Sequence, residues 1–236
     1  MNNNDMADLQ PFDQLFEAVI TKSSLKQKVY SNTLKTLSLM KREMSSLADL
    51  YRDRYGNGGQ EPEIPFVFKD KGEFEAELKF GGDVLIFMMH SNIFEFSRDH
   101  TVMKTPYVRE DKNRSYCGII NIFNFLGDSM KYNRINDVGY LIGRIFVNNE
   151  MHYFVEGKRE LGFVYTDFGS SVVSRENLRE VLISSIYYTL NFDLLVPPYD
   201  HVKEVSVQDF ITAVGSMPLK TGKRLGFRFQ ADNNSH

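Results

Sequence analysis

The stretch Glu73-Phe74-Glu75-Ala76-Glu77-Leu78-Lys79-Phe80-Gly81-Gly82 decides the fold class. Phe74, Ala76, Leu78 and Phe80 alternate with Glu73, Glu75, Glu77 and Lys79. A period of two places the two sets on opposite faces of a strand, so the segment reads as a half-buried β-strand and not as a helix. Gly81-Gly82 is a pair that tolerates positive φ, which predicts a tight two-residue turn. Val84-Leu85-Ile86-Phe87-Met88-Met89 follows, apolar on both faces, as a central strand requires. A turn at His90-Ser91-Asn92 then leads to a further strand over Ile93–Phe96, giving an antiparallel meander.

Upstream the period changes. Residues 12–54 contain neither Pro nor Gly and read as one long helix, or two with a break near Thr21–Ser24. Leu37, Met40, Met44, Leu47 and Tyr51 follow the 3-4 spacing of a packing seam, and Phe12, Leu15, Phe16, Val19 and Ile20 form a second apolar face. Between residues 21 and 54 the basic residues Lys22, Lys26, Lys28, Lys35, Lys41, Arg42, Arg52 and Arg54 outnumber Glu43, Asp49 and Asp53. A solvated outer face accounts for that excess most simply; a basic surface for an acidic partner is the sharper reading. Gly56-Asn57-Gly58-Gly59-Gln60-Glu61-Pro62 is a linker by composition. The expected domain organisation is a helical arm over 1–55, a linker over 56–62, an α+β domain over 63–231 and a loose tail over 232–236.

Downstream, residues 113–131 fit two periods. Tyr116, Ile119, Ile120, Phe123, Leu126 and Met130 make a helical stripe of four turns, whereas Ile119–Phe125 would also serve as a buried strand; the longer stripe favours helix. Val138–Val147 reads as a strand, Asn148-Asn149 as its turn and Met151–Val155 as its partner, with Glu160–Tyr165 continuing the sheet. Ser174 caps a helix running to Leu190, its core face made of Leu178, Val181, Leu182 and Ile186. Ser206 with Asp209 marks a short helix through Val214, and Lys223–Gln230 reads as a last strand. The fold class is therefore α+β, with a mainly antiparallel sheet of meanders, flanking helices and the long N-terminal arm.

Composition excludes several functions. The 28 basic and 31 acidic residues leave a net charge of −3, which argues against a dedicated nucleic-acid binder. Six apolar residues in a row, Val84–Met89, fall far short of the ~20 that cross a membrane. The single Cys117 excludes an internal disulfide framework and, with a start that lacks a leader pattern, points to a reducing, cytoplasmic setting. Cys117 itself reads as a buried, inert thiol.

No set of residues in the sequence reads as catalytic, no fingerprint implies a cofactor, and neither a Walker loop nor a dinucleotide motif occurs. His90, Glu95, Asp99 and His100 are ligand-type residues, but their spacing matches no standard metal motif, so a hairpin tip and polar loop explain them better. The most unusual feature is a near-repeat. Gly157-Lys158-Arg159-Glu160-Leu161-Gly162-Phe163 returns as Gly222-Lys223-Arg224-Leu225-Gly226-Phe227. Convergence of both turns would gather Lys158, Arg159, Lys223 and Arg224 around a phosphate or carboxylate by charge-assisted hydrogen bonds. Solvated cations beside two strand starts are the simpler account.

The function favoured by these observations is an intracellular, non-catalytic binding or regulatory module for a small anion or a protein partner. A homodimer or a partner protein would engage the N-terminal arm. Two alternatives stand beside it: an enzyme acting on a small anionic substrate held by the two Gly-Lys-Arg turns, and a structural subunit of a larger assembly.

Overall fold

The computed structural model describes residues 3–56, 64–135, 137–158, 161, 167–193, 196 and 198–208, with side chains from Phe12 onward except Val202. The helix α1 spans Asn3–Tyr55 as one uninterrupted element, with no break at Thr21–Ser24. Strands β1 (Phe66–Asp70), β2 (Glu75–Phe80) and β3 (Asp83–Met89) form an antiparallel meander. Phe80 pairs with Asp83, so Gly81-Gly82 is the whole turn, and Gly81 adopts φ +54° there. Alternation and turn chemistry act together at this hairpin, and each fixes the same register.

The next strand, β4 (Phe94–Glu95), corrects the expected hairpin at His90–Asn92. It pairs with β5 (Tyr116–Leu126) and not with β3. Both β3 and β4 run antiparallel to β5 on the same side, with Met89 opposite Ile120 and Phe94 opposite Cys117. The chain bends at His90 and then resumes its line. The reason is hydrogen bonding: β5 has 11 residues and β3 only 7, so the start of β5 needs a second partner for its backbone groups.

Segment 113–131 is also corrected. It is mainly the strand β5, followed by the one-turn helix α3 (Gly127–Lys131), the chain having passed through the short helix α2 (Pro106–Glu110) upstream. β5 lies inside the sheet, between β3/β4 and β6 (Tyr140–Asn148), and is covered on both faces. An inner strand of this kind is apolar on both sides, which blurs its period and mimics a helical stripe. Its Ile and Phe content suits a pleated, crowded surface. A bulge at Ile122/Phe123 shifts the β5–β6 register. β7 (Tyr153–Gly157) closes the seven-stranded antiparallel sheet, whose main path runs β1-β2-β3-β5-β6-β7. Beyond it, the Leu161 N–H donates to the Lys158 carbonyl and Leu161 is buried; the other residues of the strand expected over Glu160–Tyr165 lie outside the described residues.

The helix α4 (Arg175–Leu190) begins as its sequence requires, with the Ser174 hydroxyl accepting from the Asn177 N–H at 3.1 Å. α5 (Tyr199–Val202) is a single turn. Of the segments expected to be helical at Ser206–Val214 and extended at Lys223–Gln230, only Ser206–Gln208 fall within the described residues.

The main core lies between one face of the sheet and the helices α1 and α4. Leu37, Met40 and Met44 are fully buried against Leu78, Leu85, Phe87 and Ile120, and Leu178, Val181 and Leu182 join them from α4. Each such side chain contributes roughly 1.5–3 kcal/mol by leaving water. A smaller core on the opposite face gathers Val102, Val108, Cys117, Ile119, Phe146, Phe154 and Phe168. The protein is an α+β fold with its two long helices on one side of an antiparallel sheet.

Candidate functional site

The seam of α1 is consumed within the chain. Leu37, Met40 and Met44 face the sheet, and Tyr51 stacks on Phe66 with ring centroids 5.0 Å apart. Asn32 donates from Nδ2 to the carbonyls of Asn148 and Asn149, each at 3.0 Å, which pins the helix to the β6–β7 turn. Lys41 donates to the Asp70 carboxylate at 2.6 Å and holds that carboxyl below its usual range. The helix is thus fixed at three heights on the sheet.

Upstream of these anchors the helix turns outward to solvent. Lys22 reaches back to the Tyr116 hydroxyl and lies over its ring, 3.9 Å from the centroid, while Tyr116 donates to Glu95 at 2.7 Å. Every residue from Phe12 to Ser24 is exposed. Phe12, Leu15, Phe16, Val19 and Ile20 are 54, 54, 57, 54 and 65% exposed. From Asn3 to Ser24 the helix covers about 33 Å at 1.5 Å per residue. Five large apolar side chains on one helical face, in water, are the kind of surface that soluble proteins keep for association.

A second apolar surface lies at the other end of α1. Leu50, Tyr55, Ile183, Tyr187 and Leu190 rim a cleft of about 340 Å³ between α1 and α4, floored by Tyr51 and Phe66. A neighbouring cleft of about 540 Å³ runs from Arg52 to Phe68. Gly56 and Ile64 both line it.

The ligand-type residues have structural tasks. His90 Nδ1 accepts from the Asn92 N–H at 3.0 Å and holds the bend between β3 and β4. His100 Nδ1 accepts from the Val102 N–H, while its ring stacks on Phe96 with centroids 4.6 Å apart. Among the described residues there is no group of three or more His, Cys, Asp or Glu placed to hold a metal ion. Cys117 is fully buried, and burial pushes its thiol well above the usual range, so it stays protonated at neutral pH and is no nucleophile.

Of the residues proposed to gather an anion, only Lys158 is described; Arg159, Lys223 and Arg224 lie outside the described residues. Lys158 follows the end of β7, and its N–H donates to the Ile142 carbonyl at 3.2 Å.

Sequence reasoning did not single out two polar clusters. At the β6–β7 turn, the buried Asn148 donates from Nδ2 to the Tyr107 hydroxyl at 2.8 Å, and its Oδ1 accepts from the N–H groups of Glu150 and His152. Tyr107 donates to Glu150 at 2.8 Å, and Arg114 donates to the same carboxylate. Burial pushes the Glu150 carboxyl up, but the bonds from Tyr107 and Arg114 outweigh it and hold it below its usual range. Burial raises the Tyr107 phenol, which stays neutral. The turn needs this support because Met151 sits at φ +62°, a conformation that non-glycine residues rarely adopt. Between the helices, Glu43 is buried and accepts from Arg175 and from Arg179, the latter at 2.8 Å. Each carboxylate of these clusters is paired with arginine, so the clusters brace the fold.

No protein-family model, curated protein or solved structure matches the chain. Among the described residues no helix is long and apolar enough to cross a membrane.

Proposed function

We propose that the protein is an intracellular, non-catalytic binding module that works through the projecting arm of α1. One observation carries this reading: Phe12, Leu15, Phe16, Val19 and Ile20 line one face of a helix that is exposed all round over residues 12–24. Burying that face removes apolar surface from water at about 25 cal/mol per Å², which favours association with a complementary apolar partner. The seam that could have competed for the partner is already filled by the sheet. The bracing role of the polar clusters and the buried thiol favour binding over catalysis.

The test is a pair of full-length variants, Phe16→Asp and Val19→Asp, compared with the parent by sedimentation and by thermal melting. A binding arm predicts loss of association with melting unchanged, since exposed positions contribute little to folding. Association of the parent that both variants retain would reject the arm as the binding surface.

A further inference from the structure

We propose that the occupant of the exposed arm is a second copy of the same arm, packed antiparallel about a two-fold axis beside Phe16-Glu17. This deepens the binding reading above and rests on it. The apolar face identifies where association occurs; the charge distribution along the helix identifies the partner.

Up to residue 21 the chain carries Asp5, Asp8, Asp13 and Glu17 and no Lys or Arg. From residue 18 to residue 42 it carries Lys22, Lys26, Lys28, Lys35, Lys41 and Arg42 and no Asp or Glu. The switch of sign falls within the apolar stripe. A helix that is acidic on one side of its apolar centre and basic on the other is its own complement when reversed. An antiparallel pair lays the acidic half of each helix along the basic half of the other, whereas a parallel pair sets like charges side by side. Like-charge alignment is unfavourable and opposite-charge alignment favourable along a helix pair.

The stripe has the matching symmetry. Phe12 and Ile20 lie equally far from Phe16, so reversal places Phe12 of one helix near Ile20 of its mate, with Phe16 close to the axis. An interface of this kind uses the same patch on both copies and closes as a two-fold dimer. Geometry agrees with the electrostatics. The sheet begins to receive α1 near Lys22 and Val29, so an antiparallel pair sends the two folded bodies to opposite ends of the joined arms. A parallel pair would bring both bodies to the same end.

Single cysteines report orientation cleanly, because the native Cys117 is fully buried. In the proposed pair, Leu9 of one chain lies beside Ser23 of the other, one heptad before and after Phe16 on the face of the apolar stripe, and the two Ser23 positions stand about 21 Å apart at 1.5 Å per residue. Disulfides need Cα atoms within about 7 Å. Mixing full-length Leu9→Cys with Ser23→Cys should therefore give a disulfide-linked heterodimer, and Ser23→Cys alone should give none. Sedimentation should show a species of twice the 27.3 kDa chain mass. Val19→Asp should weaken it at least about thirtyfold, as loss of a central apolar anchor does, with melting unchanged. Reversing Lys22, Lys26 and Lys28 to Glu should weaken it too, and adding the reversal of Asp8, Asp13 and Glu17 to Lys should restore it.

A self-linked Ser23→Cys dimer, or a charge reversal without effect, overturns the antiparallel pairing. A photo-crosslinking residue at Leu15, used in full-length protein within its native lysate, separates the remaining outcomes. Monomeric pure protein with adducts to a different protein overturns self-pairing and leaves the arm as a binding surface. Monomeric pure protein with no adducts overturns both.

Discussion

Gly118 and Thr33 touch across the helix–sheet interface so closely that a Cβ at Gly118 would stand 2.1 Å from the Thr33 Oγ1 and 2.8 Å from its Cβ. α1 crosses β5 at this point with nothing but backbone beneath it. Thr33 is itself locked, its hydroxyl donating to the Val29 carbonyl at 2.8 Å. The approach sets the height of the helix over the sheet, and with it the direction in which the arm leaves the body.

Gly118→Ala should therefore lift α1 from β5 and cost about 1–3 kcal/mol, the usual penalty for overfilling a packed core. Thermal or urea unfolding would measure it. Adding Thr33→Ala should recover only part of the loss, because the Thr33 Cβ is also too close. Full recovery by that second change would place the contact elsewhere.

Met44 and Val19 sit on the same helix and should respond in opposite ways to the same charge. Met44 is fully buried in the main core, while Val19 is 54% exposed. Met44→Asp should unfold the protein, since an unpaired buried carboxylate is costly. Val19→Asp should leave the melting temperature of the monomeric body unchanged. Far-UV circular dichroism during heating distinguishes the two.

Glu43 makes stability depend on acid. Burial raises its carboxyl, but the hydrogen bonds and charges of Arg175 and Arg179 prevail and set it below the ordinary 4.5. A carboxyl lowered in the folded state contributes stability that is fully present above its unfolded value and is lost as pH falls through the folded one. Glu43→Gln should cost about 1–3 kcal/mol at neutral pH. It should also flatten the fall of stability below pH 4.5 relative to the parent, as read by urea unfolding across that range. Because Arg175 and Arg179 are half exposed, they turn to water when Glu43 is replaced, which keeps the loss moderate.

Cys117 should ignore a thiol-exchange reagent in the native protein and react fully once the chain is unfolded. It is buried in the smaller core, opposite Asn148 on β6, and its thiol is kept protonated by that burial. Rapid labelling of the folded protein would mean that the face covered by residues 94–115 opens readily.

Local chemistry wrote much of this fold into the chain. The alternation from Phe74 to Phe80, the Gly81-Gly82 turn and the Ser174 cap act over a few residues, so the sequence alone determined the β2–β3 hairpin and the start of α4. The stripe Phe12–Ile20 and the seam Leu37–Tyr51 were legible in the same way, as two apolar faces of a helix. What each face meets was not legible, because 3.6-residue spacing records amphipathicity and not its partner. Only the tertiary structure decided that the seam is filled by the sheet and the upstream stripe is exposed. β5 shows the same limit: inside the sheet it sends Ile120 and Ile122 into the main core and Cys117 and Ile119 into the smaller one, and apolar residues on both faces erase the period that would have marked it as a strand. β4 reads locally as half of a hairpin because its partner lies about twenty residues further along the chain. Glu43 with Arg175, and Asn148 with Tyr107, are joined across 132 and 41 residues, distances over which sequence spacing carries no information about contact.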